Sequence, residues 1–180
     1  FAFRRNNDLI FEPKFPKLDL INNIFFIIPM FFPVMAILGA FILNNNGPNT
    51  LTMIMLGSIA VYVLLLVIFR NKLNENVYPW ALWMISLALL LMYSMRGWQF
   101  IGSDITTEYK FLKIIEENKV WSIYNFRHAY NTCLSITLLP AIIGAFSNIE
   151  GISIFRLIFQ LLFSPIIIII YIYLRKYISP

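Results

Sequence analysis

Apolar residues in this chain come in long unbroken runs, and polar residues punctuate them. Residues 23–43 form a run of about 21, enough to cross a hydrocarbon core of roughly 30 Å as a helix. Residues 51–69 and 79–95 make two more such runs, and residues 152–174 make another. Pro29 and Pro33 inside the first run predict a kink or a loosened hydrogen-bond ladder. Pro79 stands in the first turn of the third run, where a helix tolerates it. Ahead of them all, residues 1–22 are mixed and polar, with Pro13 and Pro16 stiffening a non-helical approach.

One run is ambiguous. Residues 132–147, about 16 long with Pro140 inside, are marginal for crossing. If they cross, Arg175 and Lys176 fall on the opposite side from Arg70 and Lys72. If they are re-entrant or interfacial, Arg4, Arg5, Lys14, Lys17, Arg70, Lys72, Arg175 and Lys176 share one side. The excess of Lys and Arg in cytoplasmic loops prefers the second arrangement. The prediction is an all-α, polytopic membrane bundle with four crossing helices. The turn at 44–49 and the loop 96–151 face outward, while the N-terminus, residues 70–78 and residues 175–180 are cytoplasmic. In domain terms this gives a polar segment (1–22), a transmembrane hairpin (23–78) and a module from 79 to 180.

Composition supports the membrane reading. Of the 180 residues, 59% are apolar and only 13% charged, more apolar surface than a soluble domain of this size can hide. The single cysteine, Cys133, excludes an intrachain disulfide and a cysteine-based metal cluster. The net charge of +5 comes from residues scattered in short loops, with no basic stripe and interleaved aromatics. Those charges read as topology signals, and no nucleic-acid partner is expected. Phe1 is not a methionine, the first residues form no secretory leader, and the chain stops at Pro180 behind an apolar helix. Both ends read as cut from a longer protein, so the remainder of its own chain is an expected partner.

The long polar segment holds the candidate chemistry. Ser103 or Asp104 can cap a helix starting near Ile105. Tyr109, Leu112 and Ile115, with Phe111 and Ile114, then make an apolar face, while Lys110, Lys113, Glu116 and Glu117 face water. Such a helix would lie along the membrane surface, with Trp98, Trp121, Tyr124 and Tyr130 as headgroup-level anchors.

Asp104 and Glu108 stand four apart and share one helical face, where like charges repel. A solvated helix start accounts for them, and so does a general base or a divalent-metal pair at the membrane boundary. In the segment 125–131, Arg127 offers a planar fork for phosphate and His128 can donate or shuttle a proton. Contact with lipid headgroups explains both as well, and for the lone His128 it is the simpler reading. Arg156 lies about one turn inside the last crossing run, where it either snorkels or meets a phosphate. No phosphate-binding loop, dinucleotide fingerprint, zinc-protease or serine-hydrolase motif is present. Cys133 and His128 make no credible nucleophile dyad.

Residues 93–109, with the core Gly102-Ser103-Asp104-Ile105-Thr106-Thr107-Glu108-Tyr109, are followed by Tyr130-Asn131-Thr132-Cys133-Leu134-Ser135-Ile136-Thr137-Leu138-Leu139-Pro140. This pairing resembles a family of multipass, mainly archaeal membrane proteins catalogued as domain of unknown function 2206. That family is similar to the C-type glycosyltransferase superfamily, which uses polyprenyl-phosphate-linked sugars. The resemblance implies that Asp104 is the acid of the first outer loop, a catalytic base or metal-assisted substrate holder, with Glu108 in support. It implies that the helix after Thr106 and the short Pro140 run are jaw helices lying on the membrane. Arg127, His128 or Arg156 would then meet the donor phosphate. Asp-x-x-x-Glu departs from the adjacent acids or Asp-x-Asp of the superfamily, which puts the metal in doubt. The superfamily's catalytic domain also continues through many more helices.

The expected function is therefore transfer of a sugar from a polyprenyl-phosphate donor to an extracytoplasmic acceptor, with this chain alone inactive. Membrane lipid and that donor are the expected partners. Two readings from other classes stay open. A transporter or flippase part would use broken helices at Pro29, Pro33 and Ser164-Pro165. A non-catalytic scaffold would merely carry the outer cap.

Overall fold

The computed structural model describes residues 20–100, 102–124 and 128–178. Arg4, Arg5, Lys14, Lys17 and Arg127 lie outside the described residues. Within them the order is α1 (Leu20–Asn44), α2 (Thr50–Ile68), α3 (Val77–Ser94), α4 (Ser103–Asn118), α5 (Ala129–Thr132), α6 (Leu138–Ser147) and α7 (Gly151–Tyr177). Helices α1, α2, α3 and α7 are long and apolar enough to cross a membrane. The all-helical, multipass expectation holds at that level.

Small residues decide how the crossing helices meet. Helix α1 packs against α2 on one side and α3 on the other, and α7 joins the row on α3. Ala36, Gly39 and Ala40 on α1 are small, and Ala36 is fully buried. A Cβ on Gly39 would lie 2.7 Å from the Thr52 hydroxyl oxygen of α2, so only glycine permits that approach. Ala81 and Ala88, both fully buried, play the same part on α3. Outside this seam the helices expose Met53, Leu64, Val67, Ile169 and other large apolar side chains, as a lipid-facing surface requires.

Proline interrupts two crossing helices, and side chains repair both ladders. Pro29 sits in a 3-10 turn, Ile28–Met30, inside α1. It has no N–H for the carbonyl of Phe25, four residues earlier. The Tyr62 hydroxyl donates to that carbonyl instead, at 2.7 Å. The indole of Trp80 donates to the neighbouring carbonyl of Phe26 at 2.9 Å. In α7, Pro165 deprives the carbonyl of Leu161, and the Ser164 hydroxyl donates to it at 3.2 Å. Trp83 of α3 donates to that same Ser164 oxygen at 2.9 Å.

The two ends of the bundle are each tied by polar contacts. At one end the Asn44 amide donates to the carbonyl of Met95 (2.9 Å), and its oxygen accepts from the N–H of Gly97 (2.6 Å). The Trp98 indole donates to the Asn44 carbonyl at 2.9 Å. At the other end the N–H of Asn74 donates to the Asn22 side chain at 2.9 Å, and Arg175 pairs with Glu75. Helix α7 thus returns to the end that carries Arg70 and Lys72.

One local expectation is corrected and another gains detail. Within the run 132–147, α5 stops at Thr132, residues 133–137 turn, and the 10 residues of α6 are helical. At about 1.5 Å per residue, α6 is too short to cross. Pro140 is its third residue, in the first turn, where its missing N–H costs nothing. Helix α4 starts at Ser103 rather than near Ile105, and neither Ser103 nor Asp104 caps it. Gly102 holds that place at φ 129, a conformation that L side chains rarely adopt. The hydroxyls of Thr106 and Thr107 donate back to the carbonyls of Gly102 and Ser103.

Candidate functional site

Helix α4 presents Asp104, Glu108 and Tyr109 in its first two turns, at the end of the bundle where α3 finishes and α7 begins. Its buried side is Phe111, Leu112 and Ile115, while Lys110, Lys113 and Glu117 are exposed, the division expected from the periodicity. Leu112 meets the start of α7: a Cβ on Gly151 would lie 2.7 Å from it and 3.0 Å from a Glu116 carboxylate oxygen. That close approach fixes α4 against the last crossing helix.

The two carboxylates influence each other. Burial pushes the Glu108 carboxyl above its ordinary value, and the negative charge of Asp104 pushes it further the same way. A third group joins them from α5. The Asp104 carboxylate, acting on the Tyr130 phenol, raises that phenol's pKa, and the charge of Glu108 adds to the effect.

His128 is what brings Tyr130 into place. As the residue capping α5, it accepts the N–H of Tyr130 on Nδ1 at 3.2 Å. Its ring lies against Phe111 (5.2 Å between centroids) on one side and Tyr130 (5.1 Å) on the other. Behind it, the Trp121 indole donates to the carbonyl of Asn131, and the Asn131 amide donates to the carbonyl of Ser122. His128 therefore organises the turn that aims Tyr130 at Asp104, and one ring nitrogen is committed to that task.

Arg156 occupies a five-residue π-helical stretch, Ile154–Ile158, near the start of α7. Such a stretch displaces the regular ladder, and side chains serve its carbonyls. The Ser94 hydroxyl donates to the carbonyl of Arg156 at 2.8 Å, and the Gln160 amide donates to that of Phe155 at 3.2 Å. The guanidinium lies over the Phe100 ring at 5.3 Å. Phe100 in turn touches Tyr109 (4.9 Å) and Phe155 (5.8 Å) edge-on. Nε and Nη2 of Arg156 are buried without a hydrogen-bond partner among the described residues. Guanidinium nitrogens stripped of water and left unpaired are costly, so this group is disposed to receive an anion.

The structure therefore brings Asp104, Glu108 and Tyr130 into one cluster. The Phe100–Tyr109–Phe155 rings link the α4 surface beside it to Arg156. Arg156 forms no ion pair with either carboxylate among the described residues. Arg127 lies outside those residues. Cys133 is exposed and free. No three His, Cys, Asp or Glu side chains come together among the described residues. Asp104 and Glu108 could thus hold a divalent ion only with substrate oxygens and water completing its shell, as Mg²⁺ commonly accepts.

Sequence reasoning missed two parts of this arrangement. Tyr130 reads as an interfacial anchor, because the turn that aims it depends on His128 and Asn131 making unpredictable local bonds. Phe100 reads as plain apolar sequence, and only the packing of α4 on α7 sets it beneath Arg156.

No family model matches this chain, and neither a curated protein nor a solved structure matches it.

Proposed function

We propose that the chain is part of a membrane glycosyltransferase-like protein that moves a sugar from a polyprenyl-phosphate donor to an extracytoplasmic acceptor. The observation that carries this reading is Arg156: a cation about one turn inside a crossing helix, with two buried nitrogens lacking partners among the described residues. The donor's isoprenoid tail would lie among apolar helices and its phosphate would meet that guanidinium. The lysines and arginines at the Arg70–Lys72 and Arg175–Lys176 end favour a cytoplasmic position for that end. On that orientation the loop between α3 and α7 is extracytoplasmic, and α4 and α6 serve as its jaw helices.

Asp104 accepts the proton of the acceptor hydroxyl, amine or amide as the new bond forms to the sugar's anomeric carbon. The carbon–oxygen bond to phosphate breaks, and the departing phosphate keeps the electron pair beside Arg156. Tyr130 orients the Asp104 carboxylate, and Glu108 supports it or takes a second contact with the acceptor. A divalent ion, if bound by the two carboxylates and the donor, would add charge neutralisation at the phosphate. The shared bilayer holds donor and site in one orientation, which lowers the entropic cost of their meeting.

Competing readings lose ground on particular bonds. A transporter would want the carbonyls freed by Pro29 and Pro165 for its substrate, but Tyr62 and Ser164 already occupy them. A scaffold predicts that Asp104 matters only for stability. The deciding experiment supplies radiolabelled polyprenyl-phosphate sugars to membranes holding the full-length protein or its Asp104→Asn variant at matched expression. Transfer that disappears in the variant supports the assignment; equal transfer by both removes Asp104 from the chemistry.

A further inference from the structure

A cleft of about 590 Å³ opens at the opposite end of α4 from Asp104, within the range of roughly 300–1,000 Å³ typical of ligand sites. It runs between the C-terminal end of α4 and the length of α6, closed at one end by residues 148–150. Its wall is apolar along Ile115, Leu138, Ala141 and Ile142. Leu139, Ile142 and Phe146 carry the same apolar character out onto the surface, Phe146 being 90% exposed. Because α6 packs against the start of α7, this surface lies level with one end of a crossing helix.

The polar rim has a definite sign pattern. Helices α4 and α6 both end at the cleft, each closed by a residue in the left-handed region: Lys119 at φ 57 and Asn148 at φ 55. Two helix C-termini therefore converge, and each favours a cation. Glu150 and Glu116 add carboxylates to the lining. Glu116 is already engaged by Lys113 at 2.8 Å, which leaves Glu150 as the open one. Trp121 supplies an aromatic surface, held by its bond to the carbonyl of Asn131. The lining also includes Lys119, the one cation there.

A rim carrying both carboxylates and a lysine, with an aromatic wall and an apolar trough, fits a zwitterionic headgroup better than an anionic one. We propose that this cleft binds a single phospholipid bearing a primary ammonium headgroup, a phosphatidylethanolamine. The ammonium lies between Glu150, the Trp121 ring and the two helix C-termini. The phosphate meets Lys119, and an acyl chain follows Ile115, Leu138 and Ala141 out past Phe146. This site involves neither Asp104 nor Arg156 and stands or falls independently of sugar transfer.

The test is native mass spectrometry of the full chain released from nanodiscs holding equal phosphatidylethanolamine and phosphatidylglycerol. The expected result is one phosphatidylethanolamine retained per chain in preference to phosphatidylglycerol. Glu150→Lys should lower that retention about fivefold, the scale of one rim charge pair. Glu117→Lys, an equal charge change on the exposed side of α4, should leave it unaltered. Ala141→Trp should abolish retention by filling the trough, with thermal unfolding of that variant recorded alongside to show that it folds. Equal retention of the two lipids, or equal effects of the Glu150 and Glu117 substitutions, overturns the proposal.

Discussion

The hydroxyl of Tyr62 reaches across from α2 to the carbonyl of Phe25, 2.7 Å away, and replaces the N–H that Pro29 lacks. Inside a hydrocarbon phase that bond has no water to substitute for it. Tyr62→Phe should therefore destabilise the chain by about 1–3 kcal/mol, the cost of a buried polar group left unsatisfied. In a Pro29→Ala background the backbone N–H returns and the same substitution should cost markedly less. A double-mutant cycle read by unfolding in detergent or lipid measures the difference. Additive effects would show that the phenol does not serve the proline gap.

Gly39 faces Thr52 with no room for a side chain. Gly39→Leu should force α1 and α2 apart and cost about 1–3 kcal/mol. Gly57, with open space where a Cβ would go, is the control. Gly57→Leu on the lipid-facing side of α2 should leave the melting temperature close to that of the parent.

Burial and the charge of Asp104 both raise the Glu108 carboxyl. A carboxyl whose folded pKa exceeds its unfolded value favours the folded state while protonated. Its contribution is complete below the ordinary glutamate range of about 4.3 and is lost as pH rises through the raised value. Infrared difference spectra of the folded protein, with Glu108→Gln to identify the band, should show a carboxyl that deprotonates above that range. Asp104→Asn should move the transition downward only in part, because burial, the larger cause, remains. A transition already at the ordinary value in the parent would contradict the cluster.

Arg156 is a cation held among rings, with two nitrogens unpaired among the described residues. Arg156→Leu should stabilise the ligand-free chain by about 1 kcal/mol, since an uncompensated charge is removed. The same variant should lose the melting-temperature rise that a polyprenyl phosphate gives the parent, and Arg156→Lys should keep part of it. Scanning fluorimetry with and without the lipid reads both effects. A lipid-induced rise that survives Arg156→Leu would place the phosphate elsewhere.

Cys133, the chain's single cysteine, is exposed in the turn between α5 and α6. A membrane-impermeant maleimide added to intact cells should modify it, because the loop between α3 and α7 is proposed to face outward. In a Cys133→Ser background, Lys72→Cys should be protected until the membrane is opened. The reverse pattern would invert the orientation and remove an extracytoplasmic acceptor from consideration.

The crossing helices were legible because apolar run length is a property of the sequence itself. Residues 79–95 and Val77–Ser94 differ by only two residues at the start and one at the end. The run 132–147 was legible as too short to cross, but nothing in its apolar composition announces the turn at residues 133–137. Asp104 and Glu108 stood out as charges in an uncharged neighbourhood, and their spacing placed them on one face. Tyr130 did not, because its role depends on a local cap made by His128, and such bonds are decided by geometry rather than residue type. Arg156 could be located but not oriented: whether an arginine near a helix end snorkels or turns inward depends on Phe100, which arrives from a different segment.

The order in which α7 meets its partners also bears on how this protein is made. Trp83 and Ser94, which receive Ser164 and the carbonyl of Arg156, belong to a helix synthesised well before α7. Chains emerge N-terminus first and their early segments can settle first. During synthesis the surface that seats Arg156 is therefore already assembled while the arginine itself is still to come. The guanidinium gains its place over the Phe100 ring only once α7 has emerged and docked, so the contact between them reports that α3 and α7 have come together.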